Sequence, residues 1–259
     1  MKHRLPLLPI LLAVALAGCA KATKPTVDAA ATGAVAERPM TPQDFDEAVT
    51  YWGDRYTTGA KEKDIALNYA AALARIGRTD QAVAVLQKAV INFPTDQEVL
   101  AAYGKALAAA GRLDQALDAV RRAQTSDKPD WKLTSAEAAI LDQLGQHGEA
   151  RKLYEQALTL KPNEPTVLSN YGMSYVLTGE LAEAEALLRK AIALPGADSR
   201  VRQNLALVVG LQGRFEEAEK IAGQELSPDQ AAANIAYLKQ MLAEQNNWEQ
   251  LSAGAKPSG

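Results

Sequence analysis

LAAYGKALAAAGRLDQALDAV, running from Leu100 to Val120, reads as two helices joined by a turn. Leu100, Gly104 and Leu107 recur at helical spacing before the turn, and Ala116 and Val120 recur at it afterwards. Gly111 sits between them, where two antiparallel helices need a left-handed residue that only glycine adopts without strain. Gly104 carries no side chain, so the second helix can approach the first closely.

The same stretch returns along the chain. Gly77, Gly111, Gly145, Gly179 and Gly213 are each 34 residues apart. Ala82, Ala116, Ala150, Ala184 and Ala218 follow at the same spacing, with no insertion between any two. Ala70, Gly104, Ala138, Gly172 and Ala206 supply the small position of each first helix, with Leu73, Leu107, Leu141, Tyr175 and Val209 as the next contact. On the second helix Leu86, Val120, Tyr154, Leu188 and Ala222 fill a bulky slot, followed by Ala89, Ala123, Ala157 and Ala191, then by Glu225, which departs from the pattern. Pro94, Pro129, Pro162, Pro195 and Pro228 lie near the unit ends, where proline stops one helix and lets the next begin. A 34-residue helix–turn–helix period is the signature of tetratricopeptide (TPR) repeats. It predicts an all-α fold, a right-handed superhelix of tandem TPR hairpins with terminal capping helices.

The units are 63–96, 97–130, 131–164, 165–198 and 199–228. Carried back one period, the series gives Ala48 and puts Trp52 in the bulky slot, so 42–62 reads as a degenerate half repeat acting as the N-terminal cap. Residues 229–247 form an amphipathic capping helix with Ile235, Leu238 and Leu242 inward, and 248–259 read as a disordered tail. Such caps cover the apolar faces that end repeats otherwise expose.

Composition narrows the chemistry. Hydrophobic residues make up 47% of the 259 and aromatics only 5%, which leans to alanine-rich helix. A formal charge of −3 and the lack of a basic stripe argue against nucleic acid. Cys19 is the sole cysteine, which excludes an intrachain disulfide, and with only His3 and His147 it cannot build a zinc site of the usual Cys/His kind. His147 is expected to face solvent in the turn Gly145-Gln146-His147-Gly148, and Glu216-Glu217 suit a helix N-terminus. No nucleophile–base arrangement or phosphate-cradling loop is present, so the sequence predicts neither catalysis, cofactor nor small-molecule substrate.

The first residues carry a different message. Lys2, His3 and Arg4 precede an apolar stretch from Leu5 to Leu16, and Ala17-Gly18 stand before Cys19. A basic start, a short apolar region and small residues before a cut site make a secretory signal. The apolar stretch is shorter than the roughly 20 residues a membrane-spanning helix needs. Ala17-Gly18-Cys19 resembles the bacterial lipobox, which implies a signal peptide over 1–18 and a covalent lipid on Cys19. Ala20 follows rather than the Asp that resembles an inner-membrane retention signal, so the expected destination is the outer membrane, facing the periplasm. Cleavage would remove Lys2 and Arg4 and take the charge from −3 to −5. Residues 19–41 read as the lipidated cysteine and a flexible tether rich in Ala, Thr and Pro.

A TPR array binds partners along the inner face of its first helices. On the 34-residue template the N-terminal units offer Asp64, Leu67, Asn68, Ala71, Arg75, Glu98, Ala101 and Lys105, and the third offers Lys132, Ser135, Asp142 and Gln143. The last two offer Ser169, Asn170, Met173, Val176 and Leu177, then Gln203, Asn204, Leu207 and Leu211. The second half is the apolar one and is expected to be the main docking surface, suited to an amphipathic helix or an extended apolar peptide. The other reading of the same side chains is that the C-terminal helix folds back over them as core. Asn68, Asn170 and Asn204 share one template position that the repeat consensus itself favours, and the Lys/Asn/Lys/Arg set that clamps a terminal carboxylate is absent.

Several stretches are narrower than the repeat: Leu67-Asn68-Tyr69-Ala70, Leu168-Ser169-Asn170-Tyr171-Gly172, Val201-Arg202-Gln203-Asn204-Leu205-Ala206-Leu207 and Asn234-Ile235-Ala236-Tyr237-Leu238. With the lipobox, tether and Trp52-containing helix, they resemble the TadD-like TPR lipoproteins of tight-adherence (Tad/Flp) pilus assembly, from about Phe45 to Leu242. The resemblance implies a protein-binding assembly factor, pilotin-like, that helps a secretin or another pilus component assemble or localise at the outer membrane. Two other classes fit a lipid-anchored array: a periplasmic scaffold for cell-wall enzymes, and a chaperone for pilin subunits.

Overall fold

The structure is a computed structural model that describes residues 42–124 and 129–254, with side chains as far as 244. The signal sequence, Cys19 and the tether (1–41) and the last five residues of the expected tail lie outside the described residues. Within them the chain forms twelve α-helices and no strand. These are α1 (Pro42–Gly59), α2 (Lys63–Arg75), α3 (Thr79–Asn92), α4 (Gln97–Ala109), α5 (Leu113–Ala123), α6 (Trp131–Gln143) and α7 (His147–Leu160). They continue as α8 (Pro165–Val176), α9 (Leu181–Ile192), α10 (Ser199–Leu211), α11 (Phe215–Ala222) and α12 (Pro228–Gly254). Two compact units result, α1–α7 and α8–α12, divided between Lys161 and Pro162.

The period dictates each hairpin. All five 34-spaced glycines have positive φ, between 73° and 82°. Each lets the chain reverse from first helix to second while its amide and that of the next residue cap the preceding helix, as Gly111 N–H to Ala108 (3.0 Å) and Arg112 N–H to Leu107 (2.9 Å). First helices open at a repeated acidic position. Asp96 accepts from the Val99 amide at 3.0 Å, Asp130 from Lys132 at 2.8 Å, and Asp198 from Arg200 at 3.0 Å and Val201 at 3.2 Å. Glu62 and Glu164 stand one period away from this series and make no side-chain cap, their carboxylates being one methylene further out.

Small residues set how closely the helices meet. The five second-helix alanines, Ala82 to Ala218, are all buried, as are Ala70, Ala138 and Ala206 on the first helices. A Cβ on Gly104 would lie 2.6 Å from Val120 Cγ2 and 3.2 Å from the Ala116 carbonyl oxygen, so α4 and α5 are in backbone contact there. The bulky slots Leu86, Val120, Tyr154 and Leu188 are each at most 3% exposed. In the first unit Leu86 and Val120 make one continuous core with Leu73, Val99, Leu100 and Leu107, which Val49 and Tyr56 of α1 extend. α1 packs on α2, with Trp52 half-buried.

In the second unit α8 packs on α9 and α10, and α12 packs on α10 and α11. Ala231, Ile235 and Leu238 of α12 are buried and Leu242 half-buried. Leu238 occupies the space a side chain at Gly210 would need, its Cδ2 lying 2.5 Å from that Cβ position. The sequence places the end of this helix at 247; α12 continues to Gly254, so the segment 248–254 is helical rather than a disordered tail.

Candidate protein-binding face

The template gathers its inner-face residues on α2, α4 and α6 in the first unit and on α8 and α10, with Leu177 just after α8, in the second. In the first unit the face is small and polar. Ala71 and Lys105 are exposed, and Leu67, Asn68, Ala101 and Gln143 half-buried. Asn68 spends its amide on its own helix, donating from Nδ2 to the Asp64 carbonyl at 2.7 Å. Lys63 bridges Asp96 at 3.2 Å and Glu98 at 3.1 Å, tying the start of α2 to the start of α4. Ser135 and Asp142 are buried, contrary to their expected place on an open face. Asp142 Oδ1 lies 3.0 Å from His147 Nδ1, which ties the end of α6 to the start of α7 across the glycine turn. His147 is therefore half-buried and partnered, not turned to solvent.

In the second unit the structure sorts the expected docking residues into two groups. Met173 (5% exposed), Val176 (8%) and Asn204 (8%) are buried and cannot meet a partner. For Asn204 the reason is the packing of α10 on α8: its Nδ2 donates to Ser169 Oγ at 3.0 Å, a buried bond one residue over the period that ties the two first helices together. Asn170, Leu177, Leu207 and Leu211 stay half-buried and Gln203 is exposed. The residues left to meet a partner are thus Leu177, Leu207 and Leu211, edged by Asn170 and Gln203.

Sequence reasoning missed the continuation of this face. Tyr237 and Met241 of α12 stand 34 residues after Gln203 and Leu207. Tyr237 is 57% exposed, one of three large apolar side chains left open among the described residues, and Met241 is half-buried. One more 34-residue step would have found both; the departure at Glu225 hid it. Leu177, Leu207 and Leu211 remain half-buried in the presence of α12. α12 packs on α10 and α11 and adds a further first-helix surface beside them.

The electrostatic feature of this unit lies on other residues. Glu185 of α9 accepts from Arg214 and from Arg189 Nε at 2.7 Å, and Gln212 Nε2 donates to it at 2.8 Å. Arg189 and Arg214 also pair with Glu217 of α11, at 2.5 and 3.2 Å. The Arg214 hydrogen bond holds the Glu185 carboxyl down to about 2, against the opposing effect of burial, with Gln212 and Arg189 adding to it. These contacts form a clasp between hairpins. Among the described residues no three His, Cys, Asp or Glu side chains gather where they could hold a metal ion, and no helix is long and apolar enough to cross a membrane.

Antiparallel helix pairs of fixed period, presenting first-helix side chains on one face, define a helical-repeat scaffold for binding proteins. The particular repeat is the tetratricopeptide repeat: its family models match residues 41–128 and 143–208, and the chain carries these repeats in tandem. No curated protein matches the chain. Solved structures share the fold. A TPR protein from Parabacteroides merdae superposes with a TM-score of 0.67 at 15% identity, over 76% of this chain and 78% of its own. A thermophilic TPR protein of Thermus thermophilus gives 0.60 at 22%, over 69% and 100%. PilW, a widely conserved type IV pilus biogenesis factor, gives 0.59 at 18%, over 77% and 91%.

Proposed function

We propose that this chain is a lipid-anchored assembly factor of a tight-adherence pilus apparatus. It captures a segment of the secretin, or of another assembly component, and holds it at the periplasmic side of the outer membrane. The observation that carries the binding role is the face of α8, α10 and α12, where Leu177, Leu207 and Leu211 are left partly open and Tyr237 stands exposed one period after Gln203. Partly exposed apolar side chains beside exposed polar ones suit the apolar stripe of an amphipathic helix. The pilus assignment is supported by the tight-adherence resemblance of the sequence. PilW adds that a pilus biogenesis factor uses this fold. The anchor rests on Ala17-Gly18-Cys19, and two or more acyl chains there would give the stable attachment that one chain does not.

Deleting the gene and measuring secretin multimers in outer-membrane fractions tests the reading. Multimers are expected to fall to a small fraction of wild type and to return with the intact gene but not with a Cys19→Ser copy. Unchanged multimers in the deletion strain would overturn the pilotin role. Loss of cell-wall enzyme localisation instead would favour the scaffold class, and loss of pilin alone the chaperone class.

A further inference from the structure

We draw no further inference here: the strongest candidate, the small-residue outer face of α12 with Ala232, Ala236 and Ala243 exposed beside Tyr237, is an unpartnered helix face, and nothing in the structure shows what covers it.

Discussion

At Gly111 the backbone alone sets the residue. Its φ is +73°, and a Cβ placed there meets nothing within 4 Å. An alanine would fit in space and fail in conformation, since an L-residue in the left-handed region loses roughly 1–2 kcal/mol. Gly111→Ala should therefore lower stability by about that amount, and Gly111→Asn by clearly less, because asparagine tolerates this region. Urea unfolding of the three proteins measures it, and equal losses for Ala and Asn would show that something other than backbone conformation is at stake. Gly104 is the opposite case, a helical glycine fixed by the approach of Val120 and Ala116. Gly104→Ala gains about 1 kcal/mol of helix propensity yet loses about 1–3 kcal/mol to overpacking, so it should be neutral to destabilising. Both glycines are legible in sequence because the period places them. Asn204 is not. Its template position marks it as an inner-face residue, and only the Ser169 hydroxyl, one residue over the period, makes it a buried contact.

Elements are held by what crosses between hairpins, and there pH and packing can be separated. Glu185 ionises at about 2 in the folded chain, below the ordinary carboxylate value of 4.5. A group with a depressed folded pKa contributes stability that is complete above its unfolded value and is lost as pH falls toward the folded one. The clasp of α9 with α11 should thus weaken between about pH 4.5 and 2. Glu185→Gln should flatten that part of the stability-against-pH curve relative to wild type, read as urea midpoints at pH 7, 4 and 3. Parallel curves for the two proteins would mean that the clasp contributes nothing. The capping helix depends on Leu238, 4% exposed against Gly210. Leu238→Ala should lose about 2–4 kcal/mol. Because repeats contact mainly their neighbours, the loss should concentrate in α10–α12, with amide exchange in α2–α5 unchanged. The inward residues of α12 were readable from their helical spacing. Its length was not, because nothing in the pattern after Gln245 requires a helix to go on.

For the whole molecule the question is which side chains a partner can touch, and the sequence answers half of it. The 34-residue template finds the inner face, since helical period and turn glycines fix which side of each first helix looks inward. It says nothing of which members end up buried, because that depends on how closely the packed helices approach. In the fold Met173, Val176 and Asn204 are buried, while Leu177, Leu207 and Leu211 stay partly open. This makes the two groups experimentally distinct. Met173→Ala should act as a core truncation, losing about 2–4 kcal/mol with little direct effect on capture. Tyr237→Ala removes a 57%-exposed ring and should leave stability within about 0.5 kcal/mol. If the face of α8, α10 and α12 holds the partner, Tyr237→Ala should still weaken capture about tenfold, as buried-on-binding aromatics do. Leu207→Asp should weaken it further by setting a charge against an apolar stripe. The readout is the secretin co-purified with full-length, lipidated protein from solubilised membranes, alongside circular dichroism of each variant. Should secretin recovery stay at the wild-type level in both Tyr237→Ala and Leu207→Asp while both stay helical, the partner lies elsewhere, and the polar inner face of α2, α4 and α6 becomes the surface to test.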